Sequence, residues 1–186
     1  MAGPNRTPTK ILLISGSLRA GSTNLAVLRT AQELAPPSAS LSVYAGLADL
    51  THFNLDLDID PLPSPAASLR QSLADADGVL FSVPEYAGTL PGSLKNLLDW
   101  TVGGGLQKKP VGYINASLGA QGAHQTLRVV LRYVDAEIVE PACVQIPIRR
   151  DAINARGTVE DPGLRESIRE VVNALVRHIE NQPQAG

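Results

Sequence analysis

Cysteine is almost absent from this chain. Cys143 is the single one in 186 residues, so no intrachain disulfide can form and a reducing compartment is the expected setting. Aromatic residues are scarce as well, at 4%, which leaves an aliphatic core. No apolar run approaches the length of a membrane-spanning helix, and the opening segment MAGPNRTPT lacks the apolar stretch of a signal peptide. A cytoplasmic protein with no membrane partner is therefore the expectation. A basic excess is missing too. The formal net charge is −2 and the pI is near 5.9, whereas a nucleic-acid binder usually carries a basic patch, so no nucleic-acid partner is expected.

What is present is ordinary globular composition, with 44% hydrophobic and 18% charged residues. A chain of this size can bury roughly 70% of its unfolded surface, so a single domain over 1–186 needs no disulfide or metal staple. Residues 1–9 and 183–186 are expected to fray.

Short apolar runs alternate with helical spacings. Strands are expected at Ile11 to Ser15, Leu41 to Ala45, Gly78 to Val83 and Val111 to Asn115, with a weak fifth at Ala136 to Val139. Helices are read from Leu25, Leu28, Ala31 and Ala35, and from the cap Ser64-Pro65 onward. A third opens at Pro91, a fourth runs through Ala123, Leu127, Leu131 and Val134, and a last one follows the cap Asp161-Pro162. Residues 46–63 and 140–160 are the long connections. No repeat or domain boundary is visible. Five strands alternating with five helices imply an α/β fold, a parallel sheet covered on both faces. Ligands of such sheets bind beyond the carboxyl ends of the strands, so the loops after the first, third and fourth strands are the ones to inspect.

The loop after the first strand reads SGSLRAGSTN, from Ser15 to Asn24. It offers two glycines, several hydroxyls, Arg19, and Asn24 as the expected helix cap. Free backbone N–H groups at a helix start favour an anion. Ser17 and Ser22 can donate hydroxyl hydrogen bonds and Arg19 a charge-assisted one. That is more than a capped turn requires. GSLRAGST differs from the triphosphate loop G-x-x-x-x-G-K-[ST] in having Ser22 where Lys belongs. The third strand ends Val83-Pro84, with no Asp for magnesium. The dinucleotide fingerprint G-x-G-x-x-G is absent, and Gly103-Gly104-Gly105 follows a helix rather than a strand. One terminal phosphate suits the loop best.

The loop after the third strand reads PEYAGTLPG, from Pro84 to Gly92. Two prolines and two glycines hold a fixed backbone path, as a flat ring would need. Alone, it is equally a well-specified turn. Together, GSLRAGSTN, PEYAGTLPGSLKNLLDW and the SLGAQGAHQTLRVVL pattern after the fourth strand resemble the NADPH-dependent FMN reductase family. The likeness runs over roughly residues 10 to 135, and the last third matches in layout only.

The resemblance implies a flavodoxin-like, doubly wound fold, FMN as cofactor, NADPH or NADH as co-substrate, and a homodimer or homotetramer. It assigns the FMN phosphate to Ser17, Arg19, Ser22 and Asn24. It places Pro84, Glu85, Tyr86, Ala87 and Gly88 along the ring and ribityl chain, and it closes the far side of the ring with Ser117 and Gly119 to Gly122. Many members carry Asn after the Tyr; here Ala87 removes that polar contact. The implied activity is two-electron, ping-pong hydride transfer from NAD(P)H to a small acceptor, such as a quinone, azo compound, metal oxyanion or flavin. No catalytic side chain is expected, because the flavin carries the chemistry. A non-enzymatic electron carrier or redox sensor is the rival, disfavoured by the near-neutral charge.

Other constellations lead nowhere. Cys143 and Arg149 have C-x5-R spacing, but VQIPI between them has no glycine, and Pro147 removes a backbone donor. Cys143 is read as a buried, inert thiol. Asp56, Asp58 and Asp60 mimic a calcium loop whose Gly is replaced by Pro61. His52, His124 and His178 lack metal-ligand spacing. Lys95 and Asp99 are read either as a solvated helix face or as an interface between copies, with Trp100 beside them.

Overall fold

The computed structural model describes residues 7–117, 119 and 121–182. The strands are β1 (Thr9–Ser15), β2 (Ala39–Val43), β3 (Gly78–Ser82), β4 (Pro110–Asn115) and β5 (Glu137–Gln145). The helices between and after them are α1 (Thr23–Glu33), α2 (Ser64–Ala74), α3 (Gly92–Asp99), α4 (Gln121–Tyr133) and α5 (Pro162–Glu180). All strand pairs are parallel, in the order β2-β1-β3-β4-β5. This is the flavodoxin-like α/β architecture expected.

Both faces of the sheet are covered. β3 and β4 are buried at every position, as near-continuous apolar runs in a two-sided sheet should be. Alternation along the strands sorts the core into two layers. Ile11, Leu13, Leu80 and Ile114 pack with Val27, Leu28 and Ala31 of α1 and with Ile168, Val171, Val172 and Leu175 of α5. Leu12, Ile14, Val79, Phe81, Val111 and Tyr113 pack with α2, α3 and α4.

Four boundaries differ most from the sequence reading, beside shifts of a residue or so at the ends of β3, β4, α3 and α4. Thr9 is not frayed: its N–H donates to Ser38 O at 2.8 Å and it begins β1. Residues 1–6 and 183–186 lie outside the described residues. β2 is set two residues earlier than the apolar run suggested, because Ala39 to Val43 are the residues in register with β1. At α2, Pro63 occupies the cap position and Ser64 is the first helical residue, with no side-chain cap bond. β5 is more than twice the expected length.

The extension of β5 has a physical reason. Pairing with β4 is broken between Val111 and Tyr113, which face Ile138 and Cys143, so extra residues of β5 bulge out and pairing then resumes to Gln145. Glu140, in the bulge, takes both forks of the Arg128 guanidinium at 2.9 and 2.5 Å. The strand therefore hides from a periodicity test, and residues 140–145 belong to it rather than to a loop.

Candidate functional site

β1 lies between β2 and β3, so the chain reverses its direction of sheet growth there. The loops leaving the carboxyl ends of β1 and β3 diverge at that point, which is where open α/β sheets bind ligands.

In the loop after β1, Ser22 rather than Asn24 caps α1: its Oγ accepts from Asn24 N at 3.2 Å. Ser22 is in the extended conformation an N-cap requires, while Asn24 is already inside the helix. Buried, Asn24 instead accepts a 2.9 Å bond from the Ser82 hydroxyl and ties α1 to the end of β3. Ser17 is also buried, and its Oγ accepts from Arg19 N at 3.3 Å. The Arg19 side chain is exposed, and its guanidinium has no partner among the described residues.

The loop after β3 is a tight hairpin. Tyr86 and Thr89 exchange backbone bonds at 3.0 and 3.1 Å around Ala87 and Gly88. Both central residues have positive φ, 50° and 78°, as a type I′ turn demands. The hairpin is docked on the start of α4. Glu85 Oε2 accepts from Ala123 N at 3.0 Å, and the Thr89 and Thr126 hydroxyls are 3.1 Å apart. Gly122 sits so close beneath that an added Cβ would be 2.3 Å from Gly88 O. The two loops meet where Ser17 Oγ and the Tyr86 hydroxyl stand 3.3 Å apart.

Between these elements lies a cavity of about 750 Å³, within the size range of cofactor sites. Of the residues singled out from sequence, Asn24, Pro84, Glu85, Ser117 and Gly119 border it. Ser17, Arg19, Ser22, Tyr86, Ala87, Gly88 and Gly122 do not. They build and brace the surrounding loops, and Arg19 extends from its loop into solvent. Ala120 lies outside the described residues. The sequence reading missed Thr23, Ala116, Pro147, Ile148 and Arg149, which also border the cavity. Pro147 to Arg149 had a findable signal: once β5 runs to Gln145, the segment after it leaves the same carboxyl edge as the other site loops.

The donor set suits a planar ring carrying a single phosphate chain. At one end are the α1 N-terminus, the Ser17 and Ser22 hydroxyls and the uncommitted Arg19. At the other are the stiff hairpin and the start of α4.

The remaining constellations resolve as ordinary structure. Cys143 and Arg149 do not share a site. Arg149 pairs with Asp151 at 3.2 Å beside the large cavity, while Cys143 borders a separate hollow with Tyr113, His124 and Arg128. Cys143 is half-buried rather than buried, and desolvation still pushes its thiol up to about 11, so it is no nucleophile at neutral pH. Asp58 pairs with Arg70 at 2.6 Å, and no metal-holding cluster of His, Cys, Asp and Glu occurs among the described residues. Lys95 and Asp99 pair within α3, and Trp100 is no surface residue. It is fully buried, donates to Thr51 O at 2.8 Å and packs edge-on to Phe53. No helix among the described residues is long and apolar enough to cross a membrane.

Comparison with known proteins agrees with this geometry. A NAD(P)H-dependent FMN reductase from Pseudomonas aeruginosa is 34% identical over 172 residues, covering 89% of this chain and 92% of that protein. A 2-hydroxy-1,4-benzoquinone reductase from a Burkholderia species is 34% identical over 167 residues, covering 84% and 88%. The solved structure of FerB, a flavoenzyme NAD(P)H:(acceptor) oxidoreductase from Paracoccus denitrificans, superposes with a TM-score of 0.75 at 27% identity, covering 92% of this chain and 97% of that one. Residues 9–150 match the NADPH-dependent FMN reductase family. The chain belongs to that family, as an oxidoreductase with FMN as cofactor and NAD(P)H as co-substrate.

Proposed function

We propose that this chain is an FMN-dependent NAD(P)H:quinone oxidoreductase working by a ping-pong sequence, with its strands and helices forming one FMN-binding domain. The observation that supports it most is the cavity of about 750 Å³ at the sheet's switch point, bordered by the start of α1 (Thr23, Asn24) on one side and by Pro84 and Glu85, at the foot of the rigid hairpin, on the other.

Ser17, Ser22, Arg19 and the first N–H groups of α1 would hold the phosphate, and Asn24 would brace them by its bond to Ser82. Pro84 to Gly88 would border the ring and ribityl chain. Ser117, Gly119 and Gly122 would shape the opposite wall, Gly122 by letting α4 approach the hairpin. When bound, FMN supplies two-electron hydride chemistry between NAD(P)H and the acceptor. The protein's share is to align, shield and anchor. Glu85 acts structurally in this scheme, since its carboxylate caps α4. Quinones are the favoured acceptors because relatives of this chain are named quinone reductases. Azo compounds, metal oxyanions and free flavin belong to the same two-electron class. A cytoplasmic homodimer or homotetramer is the proposed working form.

Initial rates with NADPH and benzoquinone, both varied, test this reading. Parallel double-reciprocal lines and one quinone reduced per nucleotide oxidised are expected. Intersecting lines would reject the ping-pong sequence. Retained FMN without turnover would make the chain a carrier instead.

A further inference from the structure

The arginines of this chain are not disposed evenly. Arg70, Arg128, Arg149, Arg165 and Arg169 each have a carboxylate partner. Arg132 and Arg177 have none, but each stands in the last turn of its helix, where the carbonyl ends favour a cation. The guanidinium groups of Arg19, Arg29, Arg150 and Arg156 have no partner among the described residues. All four lie on two stretches that border the site: α1 with the loop before it, and the segment after β5.

Arg29 and Arg156 border a second cavity of about 300 Å³, together with Ala20, Gly21 and Ser22. No carboxylate lines it among the described residues. The same two stretches wall the larger cavity through Thr23, Asn24 and Pro147 to Arg149, so the hollows are neighbours along one cleft.

The tip that carries Arg156 is rigidly built. Ile153 and Val159 form an antiparallel bridge. Asn154 Oδ1 accepts from Arg156 N at 2.9 Å and from Thr158 N at 3.1 Å. Val159 N donates to the buried Thr30 hydroxyl at 2.9 Å, fastening the tip to α1. Gly157 has φ +75° and no side chain; a Cβ there would lie 2.9 Å from an Arg29 guanidinium nitrogen. The turn thus lets Arg29 lie against it and holds Arg156 nearby.

Two unneutralised guanidinium groups on one small cavity suit a phosphomonoester dianion, which accepts from both forks. Resting on the oxidoreductase reading above, we infer that this cavity takes the 2′-phosphate of NADPH and makes the chain select NADPH over NADH. The FMN phosphate shares that chemistry, and Ser22 borders this cavity, but the other groups assigned to it, Ser17, Arg19 and Asn24, lie outside, and Asn24, Pro84 and Glu85 border the larger one.

The test has a binding arm and a kinetic arm. In the first, the FMN-loaded protein is titrated calorimetrically with adenosine 2′,5′-bisphosphate and with adenosine 5′-monophosphate. The bisphosphate should bind at least ~10-fold more tightly, and Arg29→Gln and Arg156→Gln should each remove about that factor. In the second, the ratio of kcat/KM for NADPH to that for NADH, with benzoquinone as acceptor, should fall about tenfold in each variant. Equal binding of the two adenosine nucleotides, or loss for NADPH and NADH alike, would overturn the inference. So would weakened FMN binding with an unchanged nucleotide ratio, which assigns the cavity to the flavin. A wild-type protein that oxidises neither nucleotide would instead sink the oxidoreductase reading, and the binding arm still reads this cavity.

Discussion

The two loops that form the switch point are built on opposite plans. After β3, the polar groups of the hairpin are largely consumed within the protein: Tyr86 and Thr89 bond each other, and Glu85 caps α4. After β1, the backbone is shaped by Ser17 and Ser22, yet the Arg19 side chain is left to solvent. A loop whose groups are already satisfied serves as a surface. One with a free cation is waiting for a charge. Under the proposed function, the difference assigns the β1 loop to the phosphate end of the ligand and the β3 hairpin to the ring.

The sharpest way to break this comparison is Arg19→Ala. Losing a charge-assisted contact worth about 1.5–3 kcal/mol should weaken FMN by roughly 10- to 150-fold and leave riboflavin, which has no phosphate, nearly untouched. Fluorescence titration of both flavins reads this. Equal losses would make Arg19 a structural residue and erase the contrast.

The converse change attacks the hairpin. Gly122→Ala inserts a methyl 2.3 Å from Gly88 O, and the backbone must shift, at a cost of about 1–3 kcal/mol. Urea unfolding of the apoprotein should show that loss, and here riboflavin should weaken along with FMN. Selective loss of FMN alone would place Gly122 on the phosphate side.

A smaller effect is expected from Glu85→Ala, which removes the carboxylate from the start of α4. Stability should drop by about 1 kcal/mol, the usual worth of an N-terminal cap. If turnover per bound flavin fell far more than stability, Glu85 would touch the reaction rather than the scaffold.

The smallest change runs the other way. Ala87 holds φ 50°, which costs a residue with a Cβ about 1 kcal/mol and favours Asn or Gly. Ala87→Asn should therefore raise stability by about 0.5–1 kcal/mol, or ~2–4 °C of melting temperature for each kcal/mol in a chain of this size. An unchanged melting temperature would mean that the turn is held by its docking on α4 alone.

The position of Ala87 also shows how far sequence reasoning reached. The departure from Asn was visible and was read as a lost contact to the flavin, whereas its backbone consequence needed the positive φ. The strands and helices that follow simple patterns, such as the fully buried β3 and the capped α5, were legible. β5 was not, because a bulge disrupts the alternation that betrays a half-buried strand. That one miss hid Pro147 to Arg149 from the site. Asn24 was recognised as important but given the cap that Ser22 supplies; in the run Ser22-Thr23-Asn24 each residue can cap a helix, and they cannot be told apart without dihedral angles. Trp100 carried no clue to its burial, since a residue at the end of a short helix faces inward or outward according to what packs over it, here Thr51 and Phe53.

The broken pairing of β5 has a consequence for how copies of this chain can meet. β5 is an outer strand, and its free side presents a row that another strand would need to read in register. Pro141 has no N–H to offer, and the bulge around it throws the spacing of the strand out. The opposite border, β2, is only five residues long. Neither border offers a long, regular row for strand addition between copies.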